Sequence, residues 1–206
     1  MGFYTKYLLP KAVHFVCGTK RIMSQRKKVV SLAEGRVLEV GIGSGLNLPL
    51  YDSGKVEHVW GLDPSKELRA LAEKTAAQIE FNVEFINGDA ETIPLDGRCA
   101  DTVLVTYTLC TVAGVRPALA EIRRVLKPDG QLIFCEHGAA PDASVRRWQN
   151  RLNPIWRRIA GGCSLNLPIP SLLEQAGFEI RKMDSMYLPG WKPATFNYWG
   201  VAVFPK

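Results

Sequence analysis

The chain has 206 residues, 47% of them apolar and 22% charged, which excludes a disordered or collagen-like polypeptide and allows one sizeable core. Its 26 Lys and Arg outnumber 20 Asp and Glu for a net charge of +6, and its five Cys form neither a CxxC pair nor a disulfide framework. That cysteine usage points to a reducing, cytoplasmic compartment, and the uncharged run Thr102–Val115, at 14 residues, falls short of the roughly 20 that cross a bilayer.

The basic excess is unevenly placed. Residues 1–34 carry a net +6 and residues 141–160 a net +4, so the rest of the chain is acidic by −4. A basic face on an acidic body attracts something anionic: a membrane surface, nucleic acid or an acidic substrate. The first segment mixes Lys with Phe3, Tyr4, Tyr7, Leu8, Leu9, Phe15 and Val16, a pattern closer to an interfacial helix than to a phosphate-binding groove. Peripheral membrane contact is therefore expected in preference to nucleic acid.

In chain order, the first 30 residues read as basic helix with a break near Gly18 and a second helix over 24–33. Arg36–Val40 reads as a short apolar strand running into Gly41-Ile-Gly-Ser-Gly45 and then a short helix. A second strand, Val56–Leu62, ends at Asp63, and Ser65 is placed to cap a helix over 66–77. Strands follow at Val83–Ile86, Thr102–Thr106 and Gln131–Glu136, with a helix over 116–126 stopped by Lys127-Pro-Asp-Gly130. After a basic, aromatic insert come a helix over 171–176 and two strands, Phe178–Tyr187 and Thr195–Phe204. Strands alternating with helices imply an α/β fold with a mostly parallel sheet covered on both faces.

Such sheets bind ligands at the carboxyl ends of their strands, which puts Glu39–Gly45, Asp63, Asp89, Thr106–Cys110 and His137 at the expected site. The glycine loop is not a dinucleotide fingerprint, because Leu46 stands where its third glycine belongs. This also speaks against a nicotinamide-dependent reductase. Asp63 can accept both hydroxyls of a ribose, and Asp89 can meet an adenine amino group. A ligand with adenine, ribose and a short zwitterion would use the loop and both acids.

The stretches Val37–Gly45, Gly61–Ser65, Gly88–Ala90, Asp101–Val105 and Val125–Gly130 together resemble the class I S-adenosylmethionine-dependent methyltransferases of the type 11 kind. A narrower resemblance, carried by Tyr107–Val112, Glu136-His137 and Gly161–Leu165 with Trp148 and Trp156 between, is to the membrane-associated alkyl-thiol S-methyltransferases of animals and their bacterial relatives. The chain departs from that group in a shorter apolar N-terminal stretch and in Leu167, where the group carries Arg.

The resemblance implies a Rossmann-like, doubly wound sheet of seven strands, the last antiparallel, in a single domain over 1–206. Within it, 1–34 would be a helical lid, 35–137 the cofactor-binding core, 138–170 the insert and 171–206 the closing helix and strands. It implies S-adenosylmethionine as cofactor, held by Glu39, Gly41, Ile42, Gly43, Gly45, Asn47, Asp63, Pro64, Asp89, Ala90 and Thr106. The acceptor expected is a small or lipophilic thiol, with a quinone, phenol or phospholipid as the alternative and a non-catalytic cofactor- or RNA-binding protein as the alternative of another class. His137, a base suited to neutral pH, and Tyr107 are the catalytic candidates, and Cys110, Cys163 and Trp148 the candidate acceptor pocket. No metal is expected, because the Cys and His spacings match no zinc pattern.

Overall fold

The structure is a computed structural model that describes residues 9–205. Thirteen helices and strands alternate much as the sequence implies: α1 (Leu9–Cys17), α2 (Lys20–Val30), β1 (Gly35–Val40), β2 (Val56–Leu62), α3 (Lys66–Ala76), β3 (Asn82–Ile86), β4 (Ala100–Thr106), α4 (Val115–Val125), β5 (Leu126–His137), α5 (Ala143–Ile159), α6 (Ile169–Gln175), β6 (Glu179–Tyr187) and β7 (Phe196–Val203). The strands form one seven-stranded sheet in the order β3-β2-β1-β4-β5-β7-β6. Five run parallel, β7 inserts antiparallel to β5, and β6 pairs antiparallel to β7. The order reverses between β1 and β4, and that switch point opens the crevice where this architecture takes ligands.

The central strands are apolar on both faces because helices cover both. Val103 and Val105 of β4, with Leu132 and Phe134 of β5, pack under Ala118, Leu119, Ile122 and Val125 of α4 and Ile169 and Leu173 of α6. Leu104, Ile133 and Cys135 point the other way, onto Val29, Val30 and Ala33 at the end of α2. All of these are essentially inaccessible, and each large side chain contributes about 1.5–3 kcal/mol by leaving water.

Three local readings change. The helix expected after Gly45 is only a 3-10 turn over Leu48–Leu50. Leu48 and Leu50 donate to the carbonyls of Gly45 and Asn47, three residues back, while Pro49 has no N–H to make the bond that would extend an α-helix. The Lys127–Gly130 turn lies inside the span of β5, where pairing jumps from Ala100 with Leu126 to Thr102 with Gln131 and extrudes the segment between. Finally, α2 starts at Lys20, four residues before the expected Ser24. The helix break at Gly18 and the Ser65 cap, whose hydroxyl accepts from the Leu68 N–H at 3.2 Å, stand as read. Of the expected interfacial segment, Phe3 to Leu8 lie outside the described residues. Phe15 and Val16 are on α1 and exposed. Among the described residues no helix is long and apolar enough to cross a membrane.

Candidate active site

The carboxyl ends of β1 to β4 open into one cavity of about 770 Å³, roofed by α1 and by the residues that end α5. A shallower basin of about 880 Å³ around Arg98, Arg124 and Lys127 lies at the opposite, amino-terminal end of the strands, away from every predicted site residue.

One wall of the cavity is the glycine loop. Gly41, Gly43 and Gly45 all have positive φ, between 55° and 77°, which lets the chain reverse within five residues. At Gly41 a side chain would collide with that of Thr108, so the loop lies against the segment leaving β4. Asp63 braces the loop from the end of β2. Its Oδ2 accepts from the Gly43 N–H at 2.9 Å and its Oδ1 from the Ser65 N–H at 2.8 Å, and burial raises its pKa against those two bonds. Asp63 lines the cavity, and each oxygen, with one N–H bond made, can accept another. Ile42, Pro64 and Ala90 line the same space, with Asp89 exposed at its rim.

A buried polar chain lies behind the loop. Glu39 is 1% exposed; its two oxygens accept from Asn47 Nδ2 at 2.8 Å and from the Tyr51 hydroxyl at 2.7 Å. Asn47 also donates to Thr106 Oγ1 at 2.9 Å. Arg26, 6% exposed, donates to Thr106 Oγ1 at 2.5 Å and to Asn47 Oδ1 at 3.1 Å, and its Nε is buried with no partner. Arg26 and Thr106 line the cavity, whereas Glu39, Asn47 and Gly45 do not. These three residues stand behind the cavity lining. Glu39 and Asn47 position Arg26 and Thr106, and Gly45 packs the loop onto Ala72 and Leu48.

Burial pushes the Glu39 carboxyl up to about 7, against the bond from Tyr51, the charge of Arg26 and the bond from Asn47. The unfolded chain ionises the same group near 4.5, so the native state holds the extra proton between those values. Stability from this group is complete below about pH 4.5 and is lost as pH rises through 7, by about 3 kcal/mol at most. The melting temperature of Glu39→Gln should accordingly decline less over that window than the wild type does. Parallel melting curves would refute the assignment. Glu136 contributes a similar slope in both proteins, being raised to about 7 by its own burial.

The candidate catalytic residues are placed differently from expectation. Tyr107 has a positive φ of 54°, and its hydroxyl donates to Asn197 Oδ1 at 2.7 Å on β7. Burial raises that phenol far above its ordinary range, so Tyr107 offers the cavity its ring and not an acid or base. Arg26 sits 5.1 Å over the ring. Trp148 is 55% exposed on the outer side of α5, against Arg151, and is not a pocket residue. The eight-residue spacing from Trp156 puts both on one helix flank, but only Trp156 turns inward, against Trp191 at 6.2 Å.

His137, Cys110 and Cys163 come together just beyond the Ala160–Gly161 wall. The Cys163 sulfur is 3.5 Å from His137 Nε2 and 3.9 Å from the Cys110 sulfur. Burial alone would lower the His137 pKa; the bond to Cys163 and the negative charge of Cys163 and Glu136 carry it up instead. Cys163 is held low by Cys110 and His137, and Cys110 is pushed high in turn. Glu136 fixes this corner: its oxygens accept from the backbone N–H groups of Thr108, Leu109 and Cys110 at 2.7, 3.0 and 3.4 Å.

Several working residues escaped the sequence reading. Arg26 was one base among many in a basic segment. His14, whose Nδ1 lies 2.7 Å from Ser44 Oγ, and Cys17 bring α1 onto the glycine loop. Only the placement of a lid helix over the loop hinted at either.

A methyltransferase-domain family model matches residues 38–134. The thiol S-methyltransferase TMT1B of Homo sapiens is 32% identical over 203 residues, covering 95% of this chain and 82% of the relative. The demethylmenaquinone methyltransferase of Clavibacter sepedonicus is 33% identical over 122 residues, 59% of this chain and 49% of the relative. Among solved structures, the SAM-dependent methyltransferase TM1293 of Thermotoga maritima superposes with a TM-score of 0.68 at 21% identity, covering 98% of each chain. The glycine loop, the carboxylate at the end of β2 and this similarity through lid, core and insert agree: the chain belongs to the S-adenosylmethionine-dependent methyltransferases of the methyltransferase-domain family.

Proposed function

We propose that the enzyme methylates the sulfur of a small, lipophilic thiol. The observation that carries this reading is the character of the cavity beyond Tyr107. There Thr111, Val112, Ala113, Ala160 and Gly161 present no charge, and a cysteine–histidine cluster lies directly behind them. The resemblance to TMT1B supports it, because that match runs through the lid and the insert, while the match to the quinone enzyme covers 59% of this chain.

The residues present fit S-adenosylmethionine. Asp63 offers two carboxylate oxygens for a ribose, the Gly41–Gly45 backbone leaves room for close approach, and Arg26, with no carboxylate in ion-pair contact among the described residues, presents a cation for one. When bound, the cofactor supplies an electrophilic methyl group on a sulfonium sulfur. The chain's part is alignment and exclusion: the loop and Asp63 fix the donor, and α1 and the α5 terminus close over it. Holding two reactants in line is worth effective molarities of about 10⁵–10⁸ M in favourable cases. A sulfur acceptor reacts as thiolate, so the site must also lower the acceptor's pKa.

The test is mass spectrometry of products from S-adenosylmethionine with alkyl thiols, a demethylated quinol and phosphatidylethanolamine in separate reactions. A methyl thioether formed together with S-adenosylhomocysteine supports the reading. Methylated quinol or lipid, with the thiols untouched, would replace it.

The acceptor's route, in this reading, is a membrane surface. Phe15 and Val16 of α1 and Ile155 and Ile159 of α5 are all more than half exposed, and both helices lead to the cavity. Arg147, Arg151 and Arg158 stand among the α5 residues, a composition that suits anionic lipid headgroups. The protein should float with phosphatidylserine vesicles at low salt, and Ile155→Asp/Ile159→Asp should release it. Equal recovery of both proteins with the vesicles would remove this route.

A further inference from the structure

We infer that Cys110, His137 and Cys163 form a zinc site with one position left unfilled by protein, just behind the Ala160–Gly161 wall of the cavity. The three ligand atoms lie within 4.8 Å of one another, and no zinc spacing announced them because they come from three separate segments. Cys110 is on the loop after β4, His137 ends β5, and Cys163 follows α5.

The distances rule out a disulfide and are close enough for a shared metal ion. Zinc binds thiolate sulfur at about 2.3 Å and imidazole nitrogen at about 2.0–2.1 Å, so a tetrahedral centre sets its sulfurs about 3.8 Å apart and sulfur and nitrogen about 3.5 Å apart. The sulfur–sulfur separation here is 3.9 Å and the Cys163 sulfur is 3.5 Å from His137 Nε2, whereas a disulfide would need about 2.05 Å. Two thiolates and one imidazole are a soft donor set that favours zinc over magnesium or calcium.

The site is also preorganised. Glu136 holds the Cys110 N–H at 3.4 Å, and the Ser164 N–H donates to the Cys110 carbonyl at 2.7 Å, so the two cysteine segments are stitched together by backbone. His137 is fixed in the β5–β7 ladder opposite Asn197. Cys110 and His137 are buried while Cys163 is only partly so, which makes the Cys163 side the approach to the remaining coordination position. Gly161 lines the cavity there, and Gly161 and Gly162, with φ of 62° and 91°, turn the chain so that Cys163 comes back against the other two. Three protein ligands and an open position are the arrangement of a catalytic zinc.

The second half of the inference rests on the thiol reading. An acceptor thiol that takes the open position gives its proton to solvent and is held as a thiolate at neutral pH. Its sulfur then forms the new bond to the methyl group as the sulfonium–methyl bond breaks. The product thioether carries no charge and leaves the metal.

Metal content and cobalt spectra test the site without any turnover. Protein expressed with zinc and purified without chelator should hold about one zinc per chain, and the stripped protein should take cobalt with a thiolate-to-metal absorption band. Cys163→Ser and Cys110→Ser should each weaken zinc by at least about tenfold, while Cys99→Ser leaves it unchanged. Should either site variant fold poorly, His137→Asn with the wild-type cobalt titration decides the same question. Trace metal with no cobalt–thiolate band, or a Cys110–Cys163 disulfide in the freshly purified protein, overturns the site. The thiol reading is separated by assaying stripped and reloaded enzyme. Zinc bound with no thiol methylated defeats that reading and leaves the site. Thiol methylation at full rate by stripped enzyme leaves the reading and removes zinc from the reaction.

Discussion

Asp63→Ala should lose at least about 100-fold in affinity for S-adenosylmethionine and S-adenosylhomocysteine, read by calorimetric titration. Two effects add. The variant deletes the carboxylate oxygens placed for the ribose hydroxyls, and hydrogen bonds to a charged group are worth about 1.5–3 kcal/mol each. It also removes the brace between the Gly43 and Ser65 N–H groups, which joins the glycine loop to the first turn of α3. Asp63→Asn separates these contributions, since its amide keeps one acceptor but cannot accept from both N–H groups. It should fall between wild type and Ala. Circular dichroism of both variants should match the wild type, because the Asp63 side chain is not part of either apolar cluster that packs the sheet. Affinity within about threefold of wild type in the folded Ala variant would mean that the ligand does not lie on this loop.

The strands were legible because central parallel strands are nearly all apolar: Thr102–Thr106 announces itself by composition, and Val59–Leu62 by the apolar end of its strand. The glycine loop and Asp63 were legible for a different reason. A backbone that must turn tightly and meet a ligand needs Gly at fixed places, and the acceptor follows at the next strand end. Side-chain direction was not legible. Spacing placed Trp148 and Trp156 on one flank of α5, but which of them faces the protein depends on what α5 packs against. Tyr107 follows β4 directly, as a substrate-facing residue would, yet its left-handed backbone swings the hydroxyl to Asn197. Cys110, His137 and Cys163 were each legible as acceptor-end residues, but their meeting was not, since contacts between segments 26 or more residues apart leave no periodicity to read.

Arg26 is where the structure adds most to the sequence, and it carries the second large prediction. A guanidinium stays charged at every accessible pH, and burying it without a counter-charge is costly. Among the described residues no carboxylate lies within ion-pair distance of it, and Asn47 stands between it and Glu39. With one nitrogen bound to Thr106 and Asn47 and Nε unpartnered, the group lines the cavity with no carboxylate paired to it. The carboxylate of the methionine portion would supply that charge, and a charge-assisted pair of this kind is worth about 2–3 kcal/mol. Arg26→Leu should therefore bind S-adenosylmethionine and S-adenosylhomocysteine about 30- to 100-fold more weakly. 5′-Methylthioadenosine, which keeps the adenosine and lacks the amino-acid end, should bind wild type and variant alike. The variant should also melt no lower than wild type, because it removes an unpaired buried charge from the ligand-free protein. Equal weakening of all three ligands would instead place Arg26 among the supports of the glycine loop, alongside Glu39 and Asn47.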